Sequence, residues 1–148
     1  MSTGLYRIDE FKDNCGFGLI AHLKGKQSHK LLKAAIRALT CMTHRGGIAA
    51  DGKTGDGCGL LIQKPDSFLR KIAKEELGFS LSDLYGVGSI MLSQDAEKAK
   101  EAKRVLEEEL TKEGLYQLAW REVPTKSKCL GPIALESIPQ FFHVLVNS

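Results

Sequence analysis

The chain has 148 residues, 43% of them hydrophobic and 26% charged, with 21 basic and 18 acidic side chains for a net charge of +3. That length fits one domain with a core of its own. The charge is too small and too evenly spread to mark a nucleic-acid surface, and no apolar run approaches the roughly 18–20 residues of a membrane span.

Residues 1–14 carry Arg7, Asp9, Glu10, Lys12 and Asp13. They lack the apolar stretch of a secretory signal, which points to a cytoplasmic protein with neither nucleic acid nor membrane as a partner. The four cysteines, Cys15, Cys41, Cys58 and Cys129, are then expected as thiols rather than as a disulfide framework.

Residues 16–23 read as a strand, followed by a turn at Gly25-Lys26-Gln27. Ser28 is placed to cap a helix running to about residue 43, with Leu31, Leu32, Ala35, Leu39 and Met42 on one face. A glycine-rich stretch follows, His44-Arg45-Gly46-Gly47 and then Asp51-Gly52-Lys53-Thr54-Gly55-Asp56-Gly57-Cys58-Gly59. Residues 60–63 read as an apolar strand. Pro65 and Asp66 open a second helix that Gly78 ends. Residues 85–92 read as a strand, and Asp95 caps a long charged helix ending near Gly114, with Ala99, Ala102, Val105, Leu106 and Leu110 as its apolar stripe. Residues 116–123 form another strand, 124–132 a loop and 141–146 a last strand, whose edge is expected to be exposed and open to pairing. Alternation of the two element types favours an α/β sheet protein.

Four constellations carry chemistry. Cys15, in Asp13-Asn14-Cys15-Gly16-Phe17-Gly18, is either a buried structural cysteine or a nucleophile to which the flanking glycines admit a substrate. If the Asn14–Cys15 bond were cut, the one residue would hold a thiol and a free α-amine that serves as a base near neutral pH. The glycine-rich stretch is either a site-forming loop bringing Arg45 and Asp56 to a pocket or a hairpin using glycine for positive φ. It is not a phosphate loop, because G-x-x-x-x-G-K-[ST] is absent and no helix follows; the spacing of a dinucleotide fingerprint is also absent. Cys41-x-x-His44 lacks a second ligand pair, so no metal site is expected. Nothing singles out a serine for a catalytic triad.

The run Asp13-Asn14-Cys15-Gly16-Phe17-Gly18-Leu19-Ile20-Ala21 closely resembles the start of the mature large chain of bacterial glutamate synthase. The resemblance continues through Met42-Thr43-His44-Arg45-Gly46-Gly47 and Ala50 to Pro65, and on to Leu145-Val146-Asn147. It implies a type 2 glutamine amidotransferase domain of the N-terminal-nucleophile class, an α+β fold with a four-layer αββα sandwich, here partial. Residues 1–14 would be a leader removed at the cleavage site between Asn14 and Cys15. Residues 15–148 would then be the N-terminal part of the domain. The resemblance makes Cys15 the catalytic nucleophile toward glutamine and Arg45 a substrate-binding residue, and it assigns Asp56 no role.

It also implies a truncated chain. The family's oxyanion hole is an Asn-Gly pair, and this sequence contains none; Gly47 stands where an alanine is common. No cofactor is expected in these residues. For the full enzyme the resemblance implies FMN, an iron–sulfur cluster and NADPH through a partner chain, the small chain, with ammonia passed to 2-oxoglutarate. Two alternatives stay open: a catalytically incompetent fragment or interaction module that keeps the fold only, and a type 2 amidotransferase of purine or amino-sugar synthesis, against which the long Asp-Gly-Lys-Thr-Gly-Asp-Gly run argues.

Overall fold

A computed structural model describes residues 16–43, 46–55 and 57–147. The chain divides into two compact units, residues 1–61 and 62–148.

In the first unit, helix α1 spans His29–Cys41, entered from Ser28 in extended conformation. Leu31, Leu32, Ala35, Ala38, Leu39 and Met42 are half-buried, while the residues between them are exposed. This is the expected apolar face. Residues 16–22 and 57–63 are not strands. Their apolar content suits a sheet, but a strand exists only through cross-strand hydrogen bonds, and no described residue supplies them. Phe17, Leu19 and Leu61 are left exposed. A turn closes at His22, whose carbonyl accepts the N–H of Gly25 at 2.8 Å. Gly25 takes φ +63°, a conformation glycine adopts without strain. None of the described residues of this unit is buried.

The second unit holds the core. Helix α2 (Asp66–Glu76) ends at Gly78, with φ +77°, where the chain turns back. Strand β1 (Tyr85–Leu92), helix α3 (Ala96–Lys112), strand β2 (Tyr116–Glu122), a 3-10 turn (Ser127–Cys129), helix α4 (Pro132–Ser137) and strand β3 (Gln140–Asn147) follow. The expected loop at 124–132 thus contains the 3-10 turn, and Pro132 opens α4 as its first residue, where its missing N–H costs nothing.

The sheet is antiparallel, in the order β1-β3-β2. The last strand is therefore central, correcting the expectation that residues 141–146 form an open edge. Tyr85 pairs with Asn147 and Leu92 with Gln140 on one side; Tyr116 pairs with Asn147 and Glu122 with Phe142 on the other. The observed class is α+β, correcting the α/β alternation: the strand order comes from antiparallel pairing, which needs no crossover helices.

Alternate residues of β3 face opposite sides. On one side Leu145 packs with Leu69, Ala73, Leu81 and Tyr85, which brings α2 onto that face. The Tyr85 hydroxyl donates to Asp66 at 2.7 Å, and Arg70 donates from Nε to Asp66 at 2.9 Å and from Nη1 to the Leu81 carbonyl at 2.8 Å. Burial, then the bond to Asp66, pushes the Tyr85 hydroxyl up to about 12. Arg121, 9% exposed, grips Glu76 through Nε at 2.6 Å and Nη2 at 3.0 Å. This bidentate bond holds the Glu76 carboxyl below its usual range.

On the other side, α3 lies against Phe142 and Trp120. Asp95 caps α3 by accepting the N–H groups of Glu97 and Lys98. The stripe facing the sheet is rotated from the expected one: Ala102 and Val105 are exposed, whereas Lys103 and Glu107 are half-buried with Leu106 and Leu110. The Lys103 ammonium sits 3.6 Å from the Phe142 ring centre and 5.0 Å from that of Trp120, and the Trp120 indole donates to Glu107 at 2.6 Å. Cation–π attraction and an apolar stem let a lysine take a half-buried position. No helix among the described residues is long and apolar enough to cross a membrane.

Two predictions follow from the sheet. A Cβ added at Gly88 would stand 3.0 Å from Val144 Cγ1, and Val144 is only 4% exposed. Gly88→Ala is therefore expected to destabilise the protein by about 1–3 kcal/mol in urea unfolding. Gly86→Ala, which meets the half-buried Val146, should cost less.

His143 lies in register with Ser89 and Arg121. Burial, then the neighbouring Arg121 guanidinium, lowers its pKa from 6.5; on the same face Glu76 is engaged by Arg121, and Asp66 by Arg70 and Tyr85. Below about 6.5 the unfolded chain binds a proton that the folded chain resists. The stability this neutral imidazole contributes is thus present above 6.5 and lost as pH falls toward the depressed folded value. Melting temperature measured from pH 7.5 to 5 should decline less in His143→Gln than in the parent.

Candidate functional site

The sequence directs attention to the thiol of Cys15, the cut between Asn14 and Cys15, and Arg45. All three residues lie outside the described residues, as do His44 and Asp56. What the structure gives is the frame on either side of Arg45.

That frame begins at the end of α1. Met42 closes the helix with its N–H on the Leu39 carbonyl at 3.0 Å. One turn on, the Gly46 N–H donates to the Thr43 carbonyl at 3.1 Å. Ile48 then bridges Gly55 in antiparallel sense. The chain between them folds back as a tight hairpin. The Ala49 N–H donates to the Thr54 carbonyl at 2.7 Å, and the Gly52 N–H donates to the Ala49 carbonyl at 3.0 Å.

Asp51 closes the turn. Its Oδ1 accepts the backbone N–H of Lys53 at 3.0 Å and of Thr54 at 2.7 Å, and its Oδ2 accepts the Thr54 hydroxyl at 2.5 Å. Three bonds to one carboxylate fix the loop from inside, as aspartate does where its side chain replaces a backbone acceptor. Gly52 takes φ +68°, for which a Cβ would be strained. A Cβ at Gly55 would stand 3.4 Å from the Gly47 carbonyl oxygen. The glycines therefore serve close backbone approach and a left-handed turn.

The hairpin expectation holds over residues 48–55, whereas the expectation that the stretch brings Arg45 and Asp56 to a pocket falls on residues outside the described ones. The part played by Asp51 and Thr54 escaped the sequence reading. The signal was Asp-Gly-x-Thr, an aspartate with N–H groups two and three residues on. The next helix after the hairpin begins only at Asp66, so no helix N-terminus is available to cradle a phosphate directly after the glycines.

Among the described residues no group of three or more His, Cys, Asp or Glu side chains is placed to hold a metal ion. Cys58 and Cys129 are exposed free thiols, and Cys41 is exposed in the last turn of α1. In the second unit an open groove runs along α3 beside Lys100, Lys103, Arg104 and Gln140. Its charges are met locally: Arg104 is paired with Glu101 and Glu108.

The profile of the class-II glutamine amidotransferases matches residues 15–148. The chain is 39% identical over 147 residues to the glutamate synthase [NADPH] large chain of Bacillus subtilis, covering 99% of this chain and 10% of that one. It is 44% identical over 134 residues to the ferredoxin-dependent glutamate synthase 1 of Arabidopsis thaliana, covering 90% of this chain and 8% of that one. With the glutamate synthase [NADH] of Schizosaccharomyces pombe it shares 39% identity over 147 residues, 98% of this chain and 7% of that one. The chain thus spans about a tenth or less of the length of these relatives.

Proposed function

The chain belongs to the class-II glutamine amidotransferases, and from that premise we propose that it supplies the glutamine-hydrolysing site of a glutamate synthase, with Cys15 as nucleophile. The observation that carries this is where the family match starts: at Cys15, with the fourteen residues before it unmatched. That start supports a leader, residues 1–14, lost by cleavage between Asn14 and Cys15. Membership of the family supports the four-layer αββα sandwich as the complete fold, to which residues 15–148 contribute their part.

Cleavage turns the peptide nitrogen of Cys15 into an α-amine with a reference pKa of roughly 7.7–8.0. The amine takes the thiol proton as sulfur attacks the side-chain amide carbon of glutamine. The ammonium so formed returns a proton to the departing nitrogen, the C–N bond breaks, and ammonia leaves. Water then attacks the γ-glutamyl thioester, releasing glutamate and restoring the thiol. Arg45 holds the substrate, its planar guanidinium suited to a carboxylate. The resemblance assigns the oxyanion to an Asn-Gly pair, a class of contact worth about 10²–10³ in rate, and no such pair occurs within these 148 residues.

In the complete enzyme the ammonia goes to 2-oxoglutarate. FMN and an iron–sulfur cluster would supply the reductive chemistry there, with NADPH as electron source through a small partner chain. By the same resemblance those groups belong to other parts of the enzyme.

N-terminal sequencing of the purified protein is expected to begin at Cys15. In the full-length enzyme Cys15→Ala should lower glutamine hydrolysis by at least about 10³ while ammonia-dependent glutamate formation continues. The 148-residue chain alone should hydrolyse glutamine about 10²–10³ more slowly than the full enzyme. Retention of residues 1–14 in active enzyme, or undiminished hydrolysis in Cys15→Ala, would refute the assignment.

A further inference from the structure

One imidazole that takes no part in the glutaminase scheme accepts two backbone hydrogen bonds. The His22 Nδ1 atom receives the N–H of Lys24 at 3.2 Å and that of Lys26 at 3.4 Å. The His22 carbonyl receives a third N–H, that of Gly25, at 2.8 Å. Residues 22–26 thus fold around one histidine just ahead of Ser28, from which α1 is entered. We propose that His22 is a pH-operated clasp: the exit of this turn toward α1 is held only while the imidazole is neutral.

An imidazole nitrogen accepts a hydrogen bond only through a free lone pair, and in the charged ring both nitrogens are donors. The contacts at Nδ1 therefore require the neutral ring with its proton on Nε2. A proton arriving at Nδ1 takes the lone pair that Lys24 and Lys26 share and sets N–H against N–H. The Gly25 bond uses the backbone carbonyl and survives, and Gly25 keeps its φ of +63° without strain. Protonation thus leaves the first part of the turn folded and releases the chain at Lys26. Histidine is the side chain that changes charge between about pH 5 and 8, so the clasp is closed at the upper end of that range and open at the lower.

The titratable side chains flanking the turn are Lys24, Lys26, His29 and Lys30, and residues 16–43 contain no aspartate or glutamate. Among the described residues of this unit the one carboxylate, Asp51, is bonded within its own hairpin. No carboxylate described in this unit is therefore on hand to hold an imidazolium in place of the two lost bonds.

The test is solvent exchange of single amides, measured by NMR on the 15N-labelled 148-residue protein at about pH 5.5 and pH 8 and corrected for the intrinsic pH dependence. The Lys24 and Lys26 N–H groups are expected to exchange about two- to tenfold more slowly at the higher pH, the span of one modest hydrogen bond. The Gly25 N–H should change by less than about twofold, because its acceptor does not titrate. His22→Ala should abolish the difference by raising both lysine rates at the higher pH. His22→Asn, whose Oδ1 accepts but does not titrate, should keep Lys24 protected at both.

Equal corrected rates at the two pH values in the parent, or rates untouched by His22→Ala, would overturn the clasp. So would a matching loss at Gly25, which would mark opening of the whole turn. A pH dependence of Lys24 retained in His22→Asn would also overturn it, by assigning the effect to His29 or another group. The glutaminase reading stands under each of these outcomes.

Discussion

The second unit depends on two hydrogen-bonded ladders carried by one strand. β1 and β2 are not neighbours; each is joined to the sheet only through β3. The helices lean on the same strand, since α2 packs around Leu145 and Lys103 of α3 lies over Phe142 on the opposite face. A sheet covered on both sides buries both residue sets of its central strand, and Val144 and Leu145, adjacent in sequence, are both nearly inaccessible. The contacts that hold this unit therefore join residues far apart in the chain, up to the pairing of Tyr85 with Asn147. They form only after the loop entropy between them has been overcome.

The first unit is held in the opposite way. Its described hydrogen bonds link residues a few positions apart: Gly25 to His22, Gly46 to Thr43, and Thr54 to Asp51 and Ala49. Such bonds shape loops well and bury little. A functional group placed by them owes its position to turn chemistry, whereas Leu145 or Arg121 owe theirs to packing. This difference sets how each part answers substitution: a glycine or an aspartate is the sensitive residue in one, an aliphatic core residue in the other.

Where local rules decide the structure, the sequence was legible. The Asp95 cap, the stop of α2 at Gly78 and the strand at residues 85–92 all follow from propensities that act within one turn. The helical face of α1 followed from spacing. Residues 16–23 and 60–63 were read as strands because their composition fits a pleated surface, yet strand formation is a property of pairs, and composition names no partner. The centrality of β3 was hidden for the same reason, since topology is not encoded in any one strand. On α3 the apolar residues misled by a fraction of a turn: Lys103 and Glu107 face the sheet because Phe142, and above all Trp120, offer a ring face and an indole N–H. The roles proposed for Cys15 and Arg45 rest on long motif runs, whereas the turn at Asp51 was written in four residues and overlooked.

The two edges of the sheet are not equivalent. β1 pairs with β3 residue for residue from Tyr85 to Leu92, whereas β2 slips register between Gln117 and Ala119. An extra residue at Leu118 breaks the regular spacing of N–H and C=O groups along that border and increases the local twist. A new strand laid alongside β2 would meet a row of donors and acceptors out of step with its own, while β1 offers an unbroken eight-residue template. Growth of this sheet thus has a direction, and the one-residue slip at Leu118 is what sets it.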